Sequence, residues 1–201
     1  MNCNQISSIS FKKKLVANAN ILSEGKPEKV SIYKLDKFDE KDKFYFENLL
    51  ATTDWRKGLF VRSLQRELPC SARYEHFYVM EDKENNCLGT IKINTNFKHG
   101  PHEDVEYIET CPKYANYHGQ SSKKYIGETL LSFATKVFSN SDSEGISIAS
   151  PTLPAEPFYT DKCYFFRESE DEYKVILPKE NFYKLVSQNE FHTNGKIEMV
   201  V

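Results

Sequence analysis

Between Asp104 and Phe138 the apolar residues change their spacing, and that change restricts the available folds more than any other feature of the chain. Asp104 to Cys111 alternates as a half-buried strand does, and Pro112 stops it. Lys113 to Lys123 is polar and contains Gly119, which marks a loop. From Ile126 the apolar positions recur as Leu130, Leu131, Ala134, Val137 and Phe138, the period of a helix with one buried face. Gly145 then leads into Ile146 to Ala149, a short buried strand. A strand, a crossing helix and a second strand form a β-α-β unit, whose two strands run parallel.

The flanking sequence completes an α/β pattern. Val30, Ile32 and Leu35 suggest a short strand, and Phe44, Phe46, Leu49 and Leu50 gather on one side of a helix opening near Asp39. Leu59, Val61, Leu64 and Leu68 resume helical spacing after Gly58, and Pro69 ends it. His76 to Met80 and Cys87 to Asn96 read as a hairpin around a polar turn. The expected fold is therefore a mixed, largely antiparallel central sheet flanked by helices, in one domain over 30–201. Residues 1–29 read as a loosely packed N-terminal arm, with Gly25-Lys26-Pro27 as a breaker. A short aromatic helix from about Glu156 and a mixed segment without clear signature follow the last strand.

Charge and cysteine usage narrow the function. Lys and Arg total 27 against 29 Asp and Glu, so no broad basic field marks nucleic acid as the main ligand. The five cysteines are odd in number and scattered, which fits reduced thiols in a cytoplasmic protein. No apolar run approaches the roughly 18 residues of a membrane span, and the first residues lack the pattern of an export signal.

Chemistry is concentrated around Lys124-Tyr125-Ile126-Gly127-Glu128-Thr129. A loop that turns into a helix leaves amides unpaired at the helix start, and these can hold a phosphate. Gly127 would allow an anion to approach closely; alone, one glycine at a helix mouth is more often plain turn geometry.

This segment, preceded by Val105-Glu106-Tyr107-Ile108-Glu109-Thr110-Cys111-Pro112, resembles the core motif of the GNAT acetyltransferase superfamily, Gln/Arg-x-x-Gly-x-Gly/Ala after a strand. Lys124 stands where the family has Gln or Arg, Thr129 stands where it has a small residue, and the loop before them is longer than usual. A second resemblance lies in Phe158-Tyr159-Thr160-Asp161-Lys162-Cys163-Tyr164-Phe165, similar to the family's Phe-Tyr-x-x-x-Gly-Phe helix, with Tyr164 in the place of Gly. Together the two matches cover about the central third of the chain. The resemblance implies a GNAT-like acyl-CoA-binding fold, acetyl-CoA as co-substrate, and an amine acceptor that is a small molecule or a protein. It implies that the amides of Lys124, Tyr125, Ile126, Gly127, Glu128 and Thr129 cradle the pyrophosphate. The Glu109 and Thr110 backbone would follow the pantetheine arm, and Tyr159 would protonate the leaving thiolate.

Amine acetylation also needs a proton acceptor. Strand alternation puts Asp104, Glu106, Ile108 and Thr110 on one face and Val105, Tyr107, Glu109 and Cys111 on the other. The resemblance makes Glu106 the first candidate base, ahead of Asp104 and Glu109, with a water chain as the alternative. Tyr159 also reads as an ordinary core aromatic. Cys111, with His99, His102 and His118 nearby in sequence, reads as a small buried thiol before a nucleophile. His99-Gly100-Pro101-His102-Glu103-Asp104 matches no metal-ligand spacing and is expected to be a solvated loop, while Tyr114, Tyr117 and His118 could wall the acceptor site or form an exposed flap. A non-catalytic acyl-CoA-binding or protein-interaction module is the competing reading; a side chain plugging the Lys124 to Thr129 pocket would favour a purely structural role. A homodimer is left open.

Overall fold

The computed structural model of the chain describes residues 13–95, 101–115, 121–149, 151–152, 154–168 and 173–200. Glu24 and Gly25 have positive φ angles of 51° and 78°, as in a two-residue type I′ turn whose twist suits the strands it joins. This turn folds β1 (Lys14–Ser23) back on β2 (Lys26–Lys34), with Ser23 opposite Lys26. Residues 14–29, expected in a loose arm, are thus a hairpin of the sheet, and Ala17, Ala19 and Ile21 are buried in it. Ala and Asn are weak strand formers, and burial against the sheet outweighs their local preference.

Short helices α1 (Glu40–Lys43), α2 (Tyr45–Leu50) and α3 (Val61–Glu67) follow. Next come the expected hairpin, β3 (Glu75–Asp82) and β4 (Cys87–Asn94), and then β5 (His102–Thr110). The short β6 (Lys123–Lys124) precedes α4 (Ile126–Phe138), and β7 (Gly145–Ala149) completes the crossover. The expected aromatic helix is a wide π-helical turn, Phe158–Lys162. The chain ends in β8 (Phe166–Arg167), β9 (Lys174–Pro178), α5 (Phe182–Thr193) and β10 (Glu198–Met199), in the segment whose sequence carries no clear signature.

All ten strands join one sheet in the order β10-β1-β2-β3-β4-β5-β7-β9-β8, with β6 on β1. The β5–β7 pair is parallel and the other pairs are antiparallel. Alternating side chains of β3 enter two cores. Tyr78 and Met80 pack with Leu130, Phe133 and Leu185 of α4 and α5, while Phe77 and Val79 pack with Phe46, Trp55 and Leu64 beside α1 to α3. No helix among the described residues is long and apolar enough to cross a membrane.

Two irregularities set β5 apart from a regular strand. The register against β4 shifts between Lys92 and Ile93, leaving Glu106 as an extra, bulged residue. The bulge breaks the expected alternation: Val105 joins the α4-side core, whereas Glu106 turns to the α3 side, where it meets Lys92 beside Tyr107. On the other edge, β5 pairs with β7 only from His102 to Asp104. On its far side β7 lies close to β9: a Cβ on Gly145 would lie 2.4 Å from the Leu177 carbonyl oxygen, so only glycine fits there.

His102, Glu103 and Asp104 are therefore strand residues and do not form the expected solvated loop; His99, Gly100, Tyr117 and His118 lie outside the described residues. Glu103 is buried, with its Oε2 unpartnered. Burial, aided by Asp104, pushes its carboxyl up to about 7. The folded chain then holds a proton there that the unfolded chain has released, so this group lowers stability as pH rises from the ordinary carboxylate range through about 7. Relative to Glu103→Gln, the wild type should lose on the order of 1–3 kcal/mol between pH 5 and 8 in urea unfolding. A difference that does not change with pH would refute the buried carboxyl.

Candidate active site

Beyond Asp104 the β5 edge no longer meets β7, and a cleft of about 650 Å³ opens between them. Glu106 to Thr110 form one wall, and Lys124 to Glu128 at the mouth of α4 form a second. Phe158 and Tyr159 close one side, and Leu59, Phe60 and Tyr114 line the other. Among the described residues no side chain fills the space at the Lys124 to Glu128 wall.

The α4 mouth is built for an anion. Tyr125 adopts a left-handed conformation with φ 68° as the chain turns into the helix, and the first intrahelical bond runs from the Thr129 amide to the Tyr125 carbonyl, 2.9 Å. The amides of Ile126 and Gly127 precede that bond and have no intrahelical acceptor, while the Glu128 amide, also ahead of it, meets its own side-chain carboxyl. Lys124 is exposed at this rim, and Lys162 lines the cleft; neither has an ion pair among the described residues. Burial raises the Glu128 carboxyl, while its own amide, Lys162 and His192 act in the opposite direction. A carboxyl biased toward its neutral form is more compatible with a neighbouring phosphate than an ionised one.

Two expected members of this cradle behave differently. Thr129 does not line the cleft: its amide is used within the helix, and its hydroxyl bonds the Asn189 side chain at 3.1 Å. A Cβ on Gly127 would sit 3.0 Å from the tip of the Phe158 ring, so glycine here lets Phe158 rest on the helix mouth. Tyr164, which stands where the family motif has glycine, has φ 62°, the conformation that glycine adopts without steric penalty. Tyr159 is buried and its ring packs against Phe158 and Phe165.

The β5 carboxylates have separate tasks. Asp104 accepts a hydrogen bond from the Ser147 hydroxyl. Glu109 accepts from the amides of Leu59 at 2.5 Å and Phe60 at 3.0 Å, capping the start of α3 and fixing the cleft wall that those residues form. Its carboxylate is thus committed to α3, while its backbone lines the cleft beside Thr110. Glu106 reaches the cleft, but its carboxylate is also held by Asn94 at 2.7 Å and by Lys92. Cys111 is buried, and burial pushes its thiol up to about 11, which suits the reading as a structural residue.

Lys92 organises the α3 side of the site. Its buried ammonium meets Glu67 at 2.7 Å, Glu75 at 2.6 Å and Glu106, while Glu67 also accepts from the Tyr107 hydroxyl at 3.0 Å. The three carboxylates come close enough together to ligate a metal, but the lysine already supplies the cation there. Tyr114, expected either to wall the acceptor site or to form a flap, lines the cleft, whereas Leu59, Phe60 and Lys162 were not singled out by the sequence and reach it through long-range packing.

No protein-family profile and no curated protein sequence matches the chain. Solved structures do. AtaTR bound with AcCoA is 16% identical with a TM-score of 0.56, over 78% of this chain and 97% of that one. A protein of Exiguobacterium sp. 255-15 assigned as an acetyltransferase is 20% identical with a TM-score of 0.55, over 77% and 97%. A dodecameric spermidine N-acetyltransferase from Vibrio cholerae is 15% identical with a TM-score of 0.50, over 76% and 95%. Likeness at these identities establishes the architecture of the chain.

Burial works against the Lys92 charge, but its three carboxylate partners outweigh it and raise the ammonium well above an ordinary lysine. Burial likewise works to raise Glu75, and the hydrogen bonds from Lys92 and the Ala72 amide bring it below the usual carboxylate range. The lysine contribution is lost only above its unfolded value, and that of Glu75 only below its own, so the cluster should be fully stabilising from about pH 5 to pH 10. Lys92→Met should cost about 2–4 kcal/mol at pH 7 in urea unfolding, and the cost should shrink below pH 4.5 as the carboxylates protonate. A neutral or stabilising substitution at pH 7 would contradict this arrangement.

Proposed function

We propose that this chain, whose fold is that of the GNAT acetyltransferases, is an acetyl-CoA-dependent N-acetyltransferase that transfers the acetyl group directly to an amine in a ternary complex. The observation that carries the reading is the open cleft between β5 and β7 with the Ile126 and Gly127 amides of the α4 mouth on its wall. Solved neighbours of the same architecture include AtaTR bound with AcCoA, which supports the same co-substrate here.

In this reading the amides of Ile126, Gly127 and Glu128, with Lys124 and Lys162 at the rim, hold the pyrophosphate. The β5 edge from Glu106 to Thr110 offers backbone groups to the pantetheine arm and an amide to the oxygen of the tetrahedral intermediate. The neutral amine nitrogen attacks the thioester carbon, the C–S bond breaks, and Tyr159 donates its phenolic proton to the departing sulfur. Glu106 takes the proton of the amine, directly or through a water. Leu59, Phe60 and Tyr114 form the acceptor end, whose apolar and aromatic character suits the carbon skeleton of a small amine or a protein side chain. The reaction belongs to a cytoplasmic setting, where acetyl-CoA is available.

One observation favours a second reading, acyl-CoA binding without turnover: the Glu106 carboxylate is already committed to Lys92 and Asn94. Isothermal titration addresses the coenzyme site common to both. Acetyl-CoA should bind the wild type with micromolar affinity, and Gly127→Glu, which displaces Phe158 and adds a negative charge at the α4 mouth, should weaken binding at least tenfold while the folded circular dichroism spectrum persists. Absence of binding by the wild type would overturn both readings; binding without release of free thiol across an amine panel would select the second.

A further inference from the structure

A second pocket, of about 570 Å³, lies on the outer face of α3 and is lined by Leu50, Arg56, Arg62, Gln65 and Arg66. Arg62, Gln65 and Arg66 fall on one helix face by their i, i+3, i+4 spacing, and the Arg66 Nε donates to the Arg62 backbone carbonyl at 3.3 Å. Arg56, from the segment between α2 and α3, supplies the third.

Three arginines placed together repel one another unless an anion lies between them. Among the described residues none of the three has an ion pair. Three acidic side chains near these arginines in the sequence or beside α3 are committed elsewhere. Asp54 pairs with Lys113 at 3.2 Å, Glu67 with Lys92 at 2.7 Å, and Glu109 accepts the amides at the start of α3. Charge is therefore partitioned across α3: its one acid turns to the interior lysine, and its arginines are left with no internal partner.

We infer that this pocket binds a small molecule bearing a di- or triphosphate group. Guanidinium forks engage phosphate oxygens in paired hydrogen bonds, and three of them balance a ligand with several negative charges better than a monocarboxylate. Gln65 adds an uncharged donor, and Leu50 gives the organic part of the ligand an apolar wall. The site is separate from the cleft. Leu59 and Phe60, which directly precede α3, line the cleft, so an anion held by Arg62 and Arg66 would also steady that wall.

The test is titration of the whole chain with inorganic tripolyphosphate, followed by calorimetry, with the wild type, Arg62→Gln/Arg66→Gln, Arg56→Gln and Gly127→Glu compared. At the α3 pocket, submillimolar binding should persist in Gly127→Glu, whose α4 mouth is blocked, and in that background weaken at least tenfold in the double variant and severalfold in Arg56→Gln. Arg62→Lys/Arg66→Lys should recover only part of the affinity, since it keeps the charge without the fork. The arginines are exposed, so the variants should keep the wild-type unfolding midpoint. No binding, equal binding in the arginine variants, or loss in Gly127→Glu alone would overturn the assignment, the last by placing the anion at the α4 mouth. Tighter binding of a single-stranded oligonucleotide than of tripolyphosphate would overturn the small-molecule assignment.

Discussion

After three parallel residue pairs, β5 and β7 separate, and every other feature of the site depends on that parting. Where the two strands touch, Gly145 permits the close approach of β9, and Ser147 bonds Asp104. Where they part, β5 keeps its ladder to β4 on one edge and leaves the other edge to line a cleft. An open sheet edge inside a domain is ordinarily covered or paired. Here the mouth of α4, the Phe158 ring and the start of α3 converge on it, bringing the first helix amides and the β5 edge to one cavity. The crossover helix must begin at that place because it connects β5 to β7 across the same gap.

Electrostatics divides the site into two halves. Toward α4, the wall carries Lys124, Lys162 and helix-mouth amides, which suit an anion. Toward α3, Lys92 gathers three carboxylates, Tyr107 is hydrogen-bonded to one of them, and the Glu109 carboxylate caps the helix that forms the wall. A buried cation paired in this way is a weak source of net stability but fixes geometry, since removing any partner leaves charge uncompensated. Glu106 stands at the boundary of the two halves because of the bulge, which turns it from the expected face to the lysine side.

The parts of this fold visible in the amino-acid order are those with strong local period. The α4 stripe from Ile126 to Phe138 has the spacing found in the structure, and the β3–β4 hairpin declares itself through its polar turn. In β1, Ala and Asn occupy positions where strands usually carry branched residues, so its place in the sheet is decided by pairing with distant residues. In α5, polar Asn189 and Thr193 lie on the buried side with Phe182 and Leu185, which blurs the amphipathic pattern. Within the site, the motif segment located the α4 mouth, but the inward turn of Thr129, the packing of Phe158 on Gly127 and the capping role of Glu109 arise from contacts far apart in sequence. A one-residue bulge leaves no mark in an alternating strand, so the orientation of Glu106 had no local signal.

The most direct measurement of the central claim is a crystal structure of the chain with coenzyme A. The account requires the pyrophosphate oxygens to lie within hydrogen-bonding distance of the Ile126 to Glu128 amides, with the pantetheine arm along the free edge of β5 and the sulfur near Tyr159. Coenzyme bound elsewhere, or with its phosphates away from the α4 mouth, would contradict it.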